Sequence, residues 1–439
     1  MNNATHLSLT DTSRETVIRV QTEALAYGGA AIGRALSPDT ETGKKVLVRG
    51  AVPGEEVLAA ISKDHGRWAE AKLLQVITPS PHRAAPPCPL YGVCGGCNLQ
   101  HIALDQQRAL KLDMTQTALR HQGGLNPSEG VHLLGEDLAG LEYRRRVTLH
   151  VSLKGEVGFC RAGSGEVVPV RRCLLASPQV NKGLEAARRA PEHLLCNLDG
   201  ISIEEHECGL FFILRLRSEE EENDSGRDKR LLYEASEIFP DFLALRNGRE
   251  IGRCLNGRLL TQAKEDPLPF GRFSQINREG NRLLIRTVGR LLENQAEITD
   301  LYAGYGNLSL PLAQRGARVD AVEVDAALTA YGRTLAAAQG CAAMTFHLSS
   351  CEVYLKRSKL RAAVLLDPPR GGAKGVVEAI DPAKTEKIVY VSCCLPTLVR
   401  DLKRLVSRGF QLWRVYLIDM FAQTHHVELV AEISGRRRV

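Results

Sequence analysis

Cys393 has the residue type and the position of a nucleophile. It follows an apolar run, residues 387–391, that is typical of a β-strand, and Pro396 can begin a helix because the first N–H groups of a helix are unpaired. In an open α/β sheet, a cysteine at the carboxyl end of a strand faces the crevice where ligands bind. The alternative is a buried thiol that only fills space. Spacing alone does not separate the two, because reactivity depends on the pKa of the thiol.

Two carboxylates stand in comparable places. The motif Asp-Pro-Pro-Arg at residues 367–370 follows a predicted strand at 362–366, and its prolines force an extended turn that would hold Asp367 at the edge of the sheet. Glu428 lies in a later β-type run between apolar residues. It is either a solvent-facing strand residue or a semi-buried base with a raised pKa.

Three cysteines, Cys88, Cys94 and Cys97, are grouped with glycines that let the backbone fold around a bound group. Cys173 is the best candidate for a fourth sulfur ligand, ahead of Cys160. Zinc and an iron–sulfur cluster are both compatible with four sulfurs. The chain shows no export signal, so grouped cysteines indicate a metal site or catalysis and not disulfides, which the reducing cytosol disfavours.

The C-terminal third alternates strands and helices, which predicts a doubly wound parallel sheet. Its first strand runs into a turn that contains Gly304 and Gly306, and Glu323 ends the second strand. An acidic side chain at that place accepts hydrogen bonds from the ribose hydroxyls of a nucleoside cofactor. The turn lacks the G-x-G-x-x-G pattern of dinucleotide sites, which favours S-adenosylmethionine, whose sulfonium needs no phosphate cradle.

The elements upstream suit a nucleic-acid partner. Residues 14–78 contain five short β-type runs separated by turn residues, a pattern that predicts a small closed barrel of the OB type, a fold that often binds single strands. A proline-rich linker, a helix at 101–121 and a basic hairpin at 142–170 follow. Positive charge beside grouped thiolates would either contact phosphates or balance the charge of the cluster.

Size and composition set wider bounds. A chain of 439 residues is expected to hold about two to four domains, and its net charge of +6 permits an anionic partner without demanding one. The N-terminus lacks the features of a signal peptide, and no run is long and apolar enough for a membrane span. We therefore predict a cytoplasmic protein with no membrane association.

Taken together, the motifs resemble those of the RNA uridine-5-methyltransferases, in particular the iron–sulfur-containing branch that acts on 23S ribosomal RNA. The resemblance covers almost the whole chain. It rests on Cys88, Cys94 and Cys97, on Phe273-x-Gln275-x-Asn277, on the Asp-Pro-Pro-Arg motif that begins at Asp367, on Ser392-Cys393 and on His426-Val427-Glu428.

This resemblance implies a multidomain architecture. It places a flexible tail at 1–13, an OB-like β-barrel of the TRAM type at 14–78, a central α+β domain with the iron–sulfur cluster and RNA contacts at 79–268, and a Rossmann-like α/β methyltransferase domain at 269–439. The helix at 101–121 is a candidate to pack on the methyltransferase domain. We expect a monomer.

The resemblance also assigns roles to residues. Cys393 would add to C6 of uracil, which makes C5 nucleophilic toward the methyl group of S-adenosylmethionine, and Glu428 would then remove the C5 proton. The implied contacts with S-adenosylmethionine come from Gln275, Tyr302, Asn307, Glu323 and Asp367. The implied ligands of a [4Fe-4S] cluster are Cys88, Cys94, Cys97 and Cys173. The target base, within 23S rRNA, would be flipped out of the fold of the RNA.

Other functions compete with this interpretation. A tRNA uridine-5-methyltransferase shares the chemistry, and an RNA cytosine-5-methyltransferase also forms a cysteine adduct, although its nucleophile usually follows proline and here Ser392 precedes Cys393. A non-catalytic RNA-binding assembly factor would not need the intact Cys393, Glu428 and Asp367. One departure is local: Cys394 stands where the family commonly has asparagine, so two adjacent thiols are candidates for the attack.

Overall fold

The computed structural model describes residues 16–36, 43–207, 209–218, 225–260 and 275–435. The predicted tail at 1–13 and the predicted boundary between residues 268 and 269 lie outside these ranges. The chain divides into two compact units, one formed by Met1–Ala85 with His101–Ala103 and the other by Pro86–Gln100 with Leu104–Val439. Within the described residues, no helix combines the length and the apolar character that a membrane span requires.

The first unit contains a closed five-stranded barrel, as the spacing of its β-type runs predicts. Its strands pair in the order β1-β2-β3-β5-β4, and β4 pairs back onto β1. Buried residues alternate with exposed ones along β1, so one face of the strand, including Ile18 and Val20, fills the barrel. The strands are β1 (Val17–Leu25), β2 (Ala30–Ala35), β3 (Lys45–Arg49), β4 (Glu56–Asp64) and β5 (Trp68–Thr78).

The second unit begins with the grouped cysteines, and two further segments precede its first large sheet. These are a helix with a π-helical last turn, and a short strand. Their bounds are α1 (Leu104–Thr117), the π-helical turn (Ala118–Gly123) and β6 (Val131–Leu134).

An eight-stranded sheet occupies the middle of the chain. Its order is β14-β13-β12-β11-β10-β7-β8-β9, and every pair is antiparallel except β11 with β12. Val180 and Leu184 of α2 pack on Ile201 and Ile203 of β10 in one core. The bounds are β7 (Arg146–Val151), β8 (Val157–Cys160), β9 (Val167–Pro169), α2 (Pro178–Arg189), α3 (Glu192–Leu195), β10 (Leu198–His206), β11 (Gly209–Leu216), α4 (Ser225–Ser236), β12 (Phe242–Arg246), β13 (Arg249–Leu255) and β14 (Arg258–Leu260).

The C-terminal part forms the predicted doubly wound sheet. Its order is β17-β16-β15-β18-β19-β21-β20-β6, with β21 antiparallel to its two neighbours. The bounds are α5 (Arg278–Leu291), β15 (Glu297–Leu301), α6 (Leu310–Gln314), β16 (Arg318–Glu323), α7 (Ala326–Ala338), β17 (Met344–Leu348), α8 (Cys351–Arg357), β18 (Ala363–Leu366), α9 (Lys374–Ala379), β19 (Lys387–Ser392), α10 (Leu395–Ser407), β20 (Gln411–Ile418) and β21 (Glu428–Ser434).

The strand β18 is an apolar run that is buried at every position, as expected for a parallel strand with both faces covered. Register brings the strand ends together. Leu366 pairs with Tyr390, and Ser392 pairs with Leu429. The residues after β18, after β19 and at the start of the antiparallel β21 therefore meet at one edge of the sheet.

Two segments from the predicted central range lie with the C-terminal sheet. The strand β6 pairs in parallel with β20, from Val131 with Val415 to Leu134 with Ile418. Met114 of α1 and Leu119 of the π-helical turn belong to the core that covers this sheet. The short β6 carries no periodicity that could reveal its partner, because its pairing depends on an edge strand far away in the sequence.

Candidate active site

Cys393 is the first residue after β19, and α10 begins two residues later. The Ser392 hydroxyl accepts a hydrogen bond from the Cys394 N–H and donates one to the Cys394 carbonyl oxygen, each over 3.2 Å. These bonds close the turn locally. The thiol of Cys393 is half-buried, and burial raises its pKa to about 11. The protonated thiol is therefore the resting form at neutral pH.

The adjacent thiols meet different charged groups. Cys394 is the N-cap residue of α10 and lies near enough to Arg400 to interact with its charge. Cys393 interacts with the carboxyl groups of Glu428 and Asp367. Of the two candidate nucleophiles, Cys393 is thus the one that the structure brings together with the predicted base.

Glu428 and Asp367 flank the strand that ends at Cys393. Glu428 opens β21 and is 2% exposed, and Asp367 directly follows β18. Burial raises the pKa of Glu428 well above its ordinary value, and negative charge on Asp367 raises it further. Burial also raises the pKa of Asp367 to about 7. At least one of these carboxyl groups therefore tends to hold a proton near neutral pH.

Two basic side chains complete the crevice. Arg370, on the turn after β18, lies within hydrogen-bonding reach of the Cys393 thiol, and its positive charge partly offsets the effect of burial on that thiol's pKa. His426 is half-buried between His425, 4.2 Å away between ring centroids, and Phe421. Burial, together with nearby positive charge, lowers the pKa of His426 to about 3, so its imidazole is neutral.

The turn after β15 contains Gly304, as the sequence predicts, and part of its backbone is left-handed. Tyr302 adopts a φ of 64° and Gly304 a φ of 57°, so the backbone enters the left-handed region, which favours glycine at the second position. The Gly304 N–H donates to Oε2 of Glu323 over 2.9 Å. Oε1 of Glu323 accepts from the N–H groups of Val324 and Asp325, each over 2.8 Å. The acid at the end of β16 is thereby fixed beside the turn.

The other two predicted cofactor contacts are less defined. The amide of Asn307 pairs with that of Asn281 on α5 through two hydrogen bonds of 3.0 and 2.9 Å. Asn281 is a residue that the sequence does not single out. Gln275 is half-buried, just before Asn277, which caps α5 by accepting from the Gly280 N–H over 3.0 Å. Phe273 of the same motif lies outside the described residues.

Asp300 was missed by the sequence interpretation. It lies in β15, is 1% exposed, and its Oδ2 has no hydrogen-bond partner among the described residues. Burial raises its pKa to about 7. The nearby Ser309 hydroxyl offsets a part of that rise, and negative charge on Asp367 and Glu323 adds a smaller amount. An acid inside the predicted strand that leads into the glycine turn was the available signal, since burying a carboxylate is costly.

Asp401, also unassigned from sequence, ties the loop after Arg370 to β19. It is fully buried on α10, and its Oδ2 accepts from the Tyr390 hydroxyl and from the Ala373 N–H, each over 2.8 Å. Arg400 pairs with the same carboxylate and donates to the Gly371 carbonyl oxygen over 2.9 Å. The helix after Cys393 thus holds the loop that follows Arg370.

The four predicted cysteine ligands line one cavity in the second unit, and Cys160 is not among its lining residues. The wall contains Cys88, Cys94, Cys97, Cys173 and Arg144. Burial raises the pKa of Cys94, and it raises that of Cys97 to about 11. Cys173 is held by Asn181, whose Oδ1 accepts from its N–H over 2.9 Å.

The same cavity has one unpaired donor. The Nε atom of Arg144 is buried and has no hydrogen-bond partner among the described residues. Within the residues that the structure describes, no three His, Cys, Asp or Glu side chains are arranged so that they could hold a metal ion. Four thiols and an unpaired guanidinium nitrogen therefore surround the cavity, without the tight convergence of a preformed single-ion site.

The side chains at this edge of the sheet have the groups that one type of reaction needs. A half-buried thiol and two buried carboxyl groups lie at the carboxyl edge of a doubly wound sheet. A glycine turn and the acid that it contacts lie on neighbouring strands at the same edge. Such an arrangement suits a nucleophilic attack followed by removal of a proton, with a nucleoside-containing cosubstrate bound alongside.

Known proteins share both sequence and fold with this chain. A family model described as tRNA (Uracil-5-)-methyltransferase matches residues 335–432. The 23S rRNA (uracil(1939)-C(5))-methyltransferase RlmD of Shewanella sp. (strain MR-7) is 33% identical over 417 residues, which are 89% of this chain and 90% of that protein. RlmD of Dichelobacter nodosus is 34% identical over 418 residues, with coverage of 88% and 93%.

Among solved structures, the Pyrococcus abyssi tRNA (uracil-54, C5)-methyltransferase in complex with S-adenosyl-L-homocysteine gives a TM-score of 0.68. The match covers 95% of this chain and 100% of that one, at 21% identity. At this level of identity, the likeness concerns the fold.

Proposed function

The chain belongs to the RNA uracil-C5 methyltransferases, and from this membership we propose that it transfers a methyl group from S-adenosylmethionine to C5 of a uridine in 23S rRNA. The observation that carries the proposal is the meeting of Cys393 with Glu428 and Asp367 at the sheet edge. C5 of uracil is a weak nucleophile, so the reaction needs both a thiolate and a base, and this crevice supplies both.

Cys393 and Glu428 act in successive steps of the reaction. The Cys393 thiol releases its proton to solvent, and the thiolate adds to C6. The electron pair of the C5=C6 bond becomes available at C5, which takes the methyl group from the sulfonium and leaves S-adenosylhomocysteine. The Glu428 carboxylate then removes the C5 proton, the C5–H electron pair restores the double bond, and the C6–S bond breaks to release Cys393. Arg370 favours the thiolate form of Cys393 by its charge.

For the cosubstrate, we place S-adenosylmethionine on the glycine turn. Glu323, already oriented by three backbone N–H groups, would accept the ribose hydroxyls, with Tyr302, Asn307, Gln275 and Asp367 around the rest of the molecule. We expect Glu323→Gln to raise the KM for S-adenosylmethionine by roughly 10-fold or more, since a hydrogen bond to a charged group contributes about 1.5–3 kcal/mol. Glu352→Gln on α8 is the control, and equal KM values in the two variants would contradict this placement.

For the cysteine cavity, we propose a [4Fe-4S] cluster on Cys88, Cys94, Cys97 and Cys173. Two observations support a bound group here. The four cysteines line one cavity, and within the described residues they are not arranged as a preformed single-ion site. The unpaired Arg144 Nε would also find an acceptor in the sulfur atoms. The cluster would supply a rigid anionic centre that ties the segment at 88–97 to Cys173.

For the RNA, the barrel and the basic central domain are proposed to hold the loop around a flipped-out uridine. The strength of the identity to the RlmD proteins over nearly the full chain favours 23S rRNA over tRNA as the substrate. A cytoplasmic monomer stays the prediction.

Methyl transfer tests the function directly. The protein is incubated with labelled S-adenosylmethionine and with either 23S rRNA or total tRNA, and the label is located as 5-methyluridine. We expect label in 23S rRNA, its loss in Cys393→Ala, and its retention in the matched control Cys394→Ala. Full activity of Cys393→Ala would refute the mechanism, and labelling of tRNA alone would refute the substrate.

A further inference from the structure

The loop that leads to Glu428 is held from outside its own sheet. It connects β20, which ends at Ile418, to β21. Within it, Gln423 adopts a φ of 67°, a left-handed conformation that is uncommon for a residue with a side chain. Such a conformation persists only where surrounding contacts determine it.

The first set of these contacts comes from the two residues that follow Cys97. The N–H groups of Asn98 and Leu99 both donate to the Gln423 carbonyl oxygen, each over 3.1 Å. The side chain of Asn98 then forms a pair with His425: its Oδ1 accepts from the His425 N–H over 3.0 Å, and its Nδ2 donates to Nδ1 of the ring over 2.8 Å. Asn98 therefore holds both the backbone and the side chain of a residue three positions before Glu428.

The second set comes from α1. The side chain of Gln107 donates to Oε1 of Gln423 and accepts from the Gln423 N–H, each over 2.9 Å, and it also donates to the Leu99 carbonyl oxygen over 3.0 Å. Gln107 is fully buried. Because buried polar groups lose much free energy when a partner is removed, this arrangement favours one position of the loop.

A third contact fixes the start of the loop. Lys111 on α1 is fully buried, and its Nζ pairs with Oδ1 of Asp419 over 2.7 Å and donates to the Phe421 carbonyl oxygen over 3.1 Å. A buried ammonium group needs such partners, since either member left alone would be an unpaired buried charge. The loop is thus held at both ends and in the middle.

We propose that Asn98 and Gln107 are positioning residues for the base of the methylation reaction: they hold the loop at 419–427 so that Glu428 reaches the C5 proton. The inference rests on the proposed function. A base transfers a proton only within hydrogen-bond distance, so a loop shift of about 1 Å is expected to cost on the order of 100-fold in that step. Since Asn98 directly follows Cys97, the cysteine segment and the base share one support.

The positioning role is specific to one step. Cys393 lies at the end of β19, and none of the hydrogen bonds that Asn98 and Gln107 form with the loop involves β19 or α10. Attack on C6 and methyl transfer use Cys393 and the cosubstrate turn, which none of these hydrogen bonds contacts. The removal of the C5 proton by Glu428, with restoration of the double bond and release of the Cys393 sulfur, is the step that depends most directly on the position of the loop.

A single-turnover experiment separates these steps. The full-length protein with its bound metal is mixed with substrate RNA and labelled S-adenosylmethionine, and the denaturant-stable protein–RNA adduct and the free methylated RNA are followed in time. In Asn98→Ala, we expect adduct to form within about threefold of the wild-type rate and to break down roughly 10- to 100-fold more slowly. Asn98→Asp, which keeps the acceptor for the His425 N–H, should recover part of the breakdown rate. Asn294→Ala, in the exposed turn that follows α5, is the matched control.

The outcomes are distinct. Equal losses in adduct formation and breakdown would mean a merely structural role, and unchanged rates would mean no role; either overturns the inference. RNA with 5-fluorouridine, which has no C5 proton to lose, should trap wild type and Asn98→Ala equally. Wild type and variant are compared at equal iron content. If Asn98→Ala fails to fold, Gln107→Ala replaces it, because we expect the same slow breakdown of the adduct in that variant. If wild-type protein forms neither adduct nor product, the proposed function itself has failed.

Discussion

The carboxyl groups of Asp367 and Glu428 lie on either side of the strand that ends at Cys393, and negative charge on Asp367 raises the pKa of Glu428. Like charges in one crevice resist being ionised together, so the two groups titrate as a pair. Because Glu428 must be ionised to accept a proton, the charge state of Asp367 sets the pH range in which the base works.

Asp367→Asn is therefore expected to shift the pH dependence of adduct breakdown. The substitution removes the negative charge that raises the Glu428 pKa, so the base becomes ionised at lower pH, and the acidic limb of the profile moves to lower pH. The measurement is the breakdown rate of preformed adduct between pH 5 and pH 9. Binding of S-adenosylmethionine no longer matters once the adduct has formed. Asp381→Asn on the surface is the control, and an unmoved or upward-shifted limb would contradict the coupling.

The reactivity of Cys393 in the free protein should follow its raised pKa. With a pKa of about 11, the thiolate fraction rises about tenfold per pH unit, so alkylation of Cys393 by iodoacetamide should be roughly 100-fold faster at pH 9 than at pH 7. Arg370→Gln removes the charge that favours the thiolate and should slow the reaction at pH 9. Peptide mass spectrometry in a Cys394→Ala background measures the rate, and a rate that already levels off below pH 8 would disprove the raised pKa.

The stability of the protein without its cosubstrate should depend on Asp300. Its pKa is raised from 3.8 to about 7 in the folded state, so the stability present at low pH is lost as the pH rises through about 7. Asp300→Asn should remove this loss, and the variant should exceed wild type by up to about 4 kcal/mol in unfolding free energy at pH 8 but little at pH 4. Urea unfolding at both pH values tests the difference.

The control for this prediction is a carboxyl group whose pKa is shifted in the opposite direction. The pKa of the exposed Asp381 is lowered in the folded state, chiefly by a hydrogen bond from the Ala383 N–H, so Asp381→Asn should stabilise the protein at neither pH. An Asp300→Asn variant that is less stable than wild type at pH 8 would show that the buried carboxylate is satisfied in solution.

Iron content distinguishes the fourth ligand of the proposed cluster. Protein purified without oxygen should be brown and contain roughly four irons per chain. Cys173→Ser should lose most of the iron and the colour, because Cys173 lines the cavity with the other three cysteines. Cys160→Ser, which is not part of the wall, should keep both. One zinc per chain in wild type, or equal iron loss in the two variants, would contradict the assignment.

Local patterns were sufficient for much of the fold. The five β-type runs at 14–78 predicted the barrel, because alternation of buried and exposed residues is set by the two-residue period of a strand. The helix at Pro396 also followed from short-range chemistry. The partner of β6 did not, because any free sheet edge could have accepted a strand of that length.

Some residues of the candidate site could be selected from the sequence, and others could not. Residue type and position at a strand end were enough to select Cys393, Asp367 and Glu323 as functional candidates, while the roles assigned to Cys393 and Glu428 came from the resemblance to a family. The pairing of Asn281 with Asn307 and the loop support by Asp401 were not visible, since each depends on a distant partner that sequence does not reveal.

The sequence by itself thus determined which side chains can attack, accept a proton or bind metal, and which strands and helices carry them, because these properties depend on residue type and on neighbours within a few positions. Only the tertiary structure decided which of them meet. Asn98 and His425 are 327 residues apart in the chain, yet they form two hydrogen bonds. The order and register of the strands, and not any local preference, bring Cys393 to Glu428, because contacts between distant segments form only when the sheet as a whole is assembled.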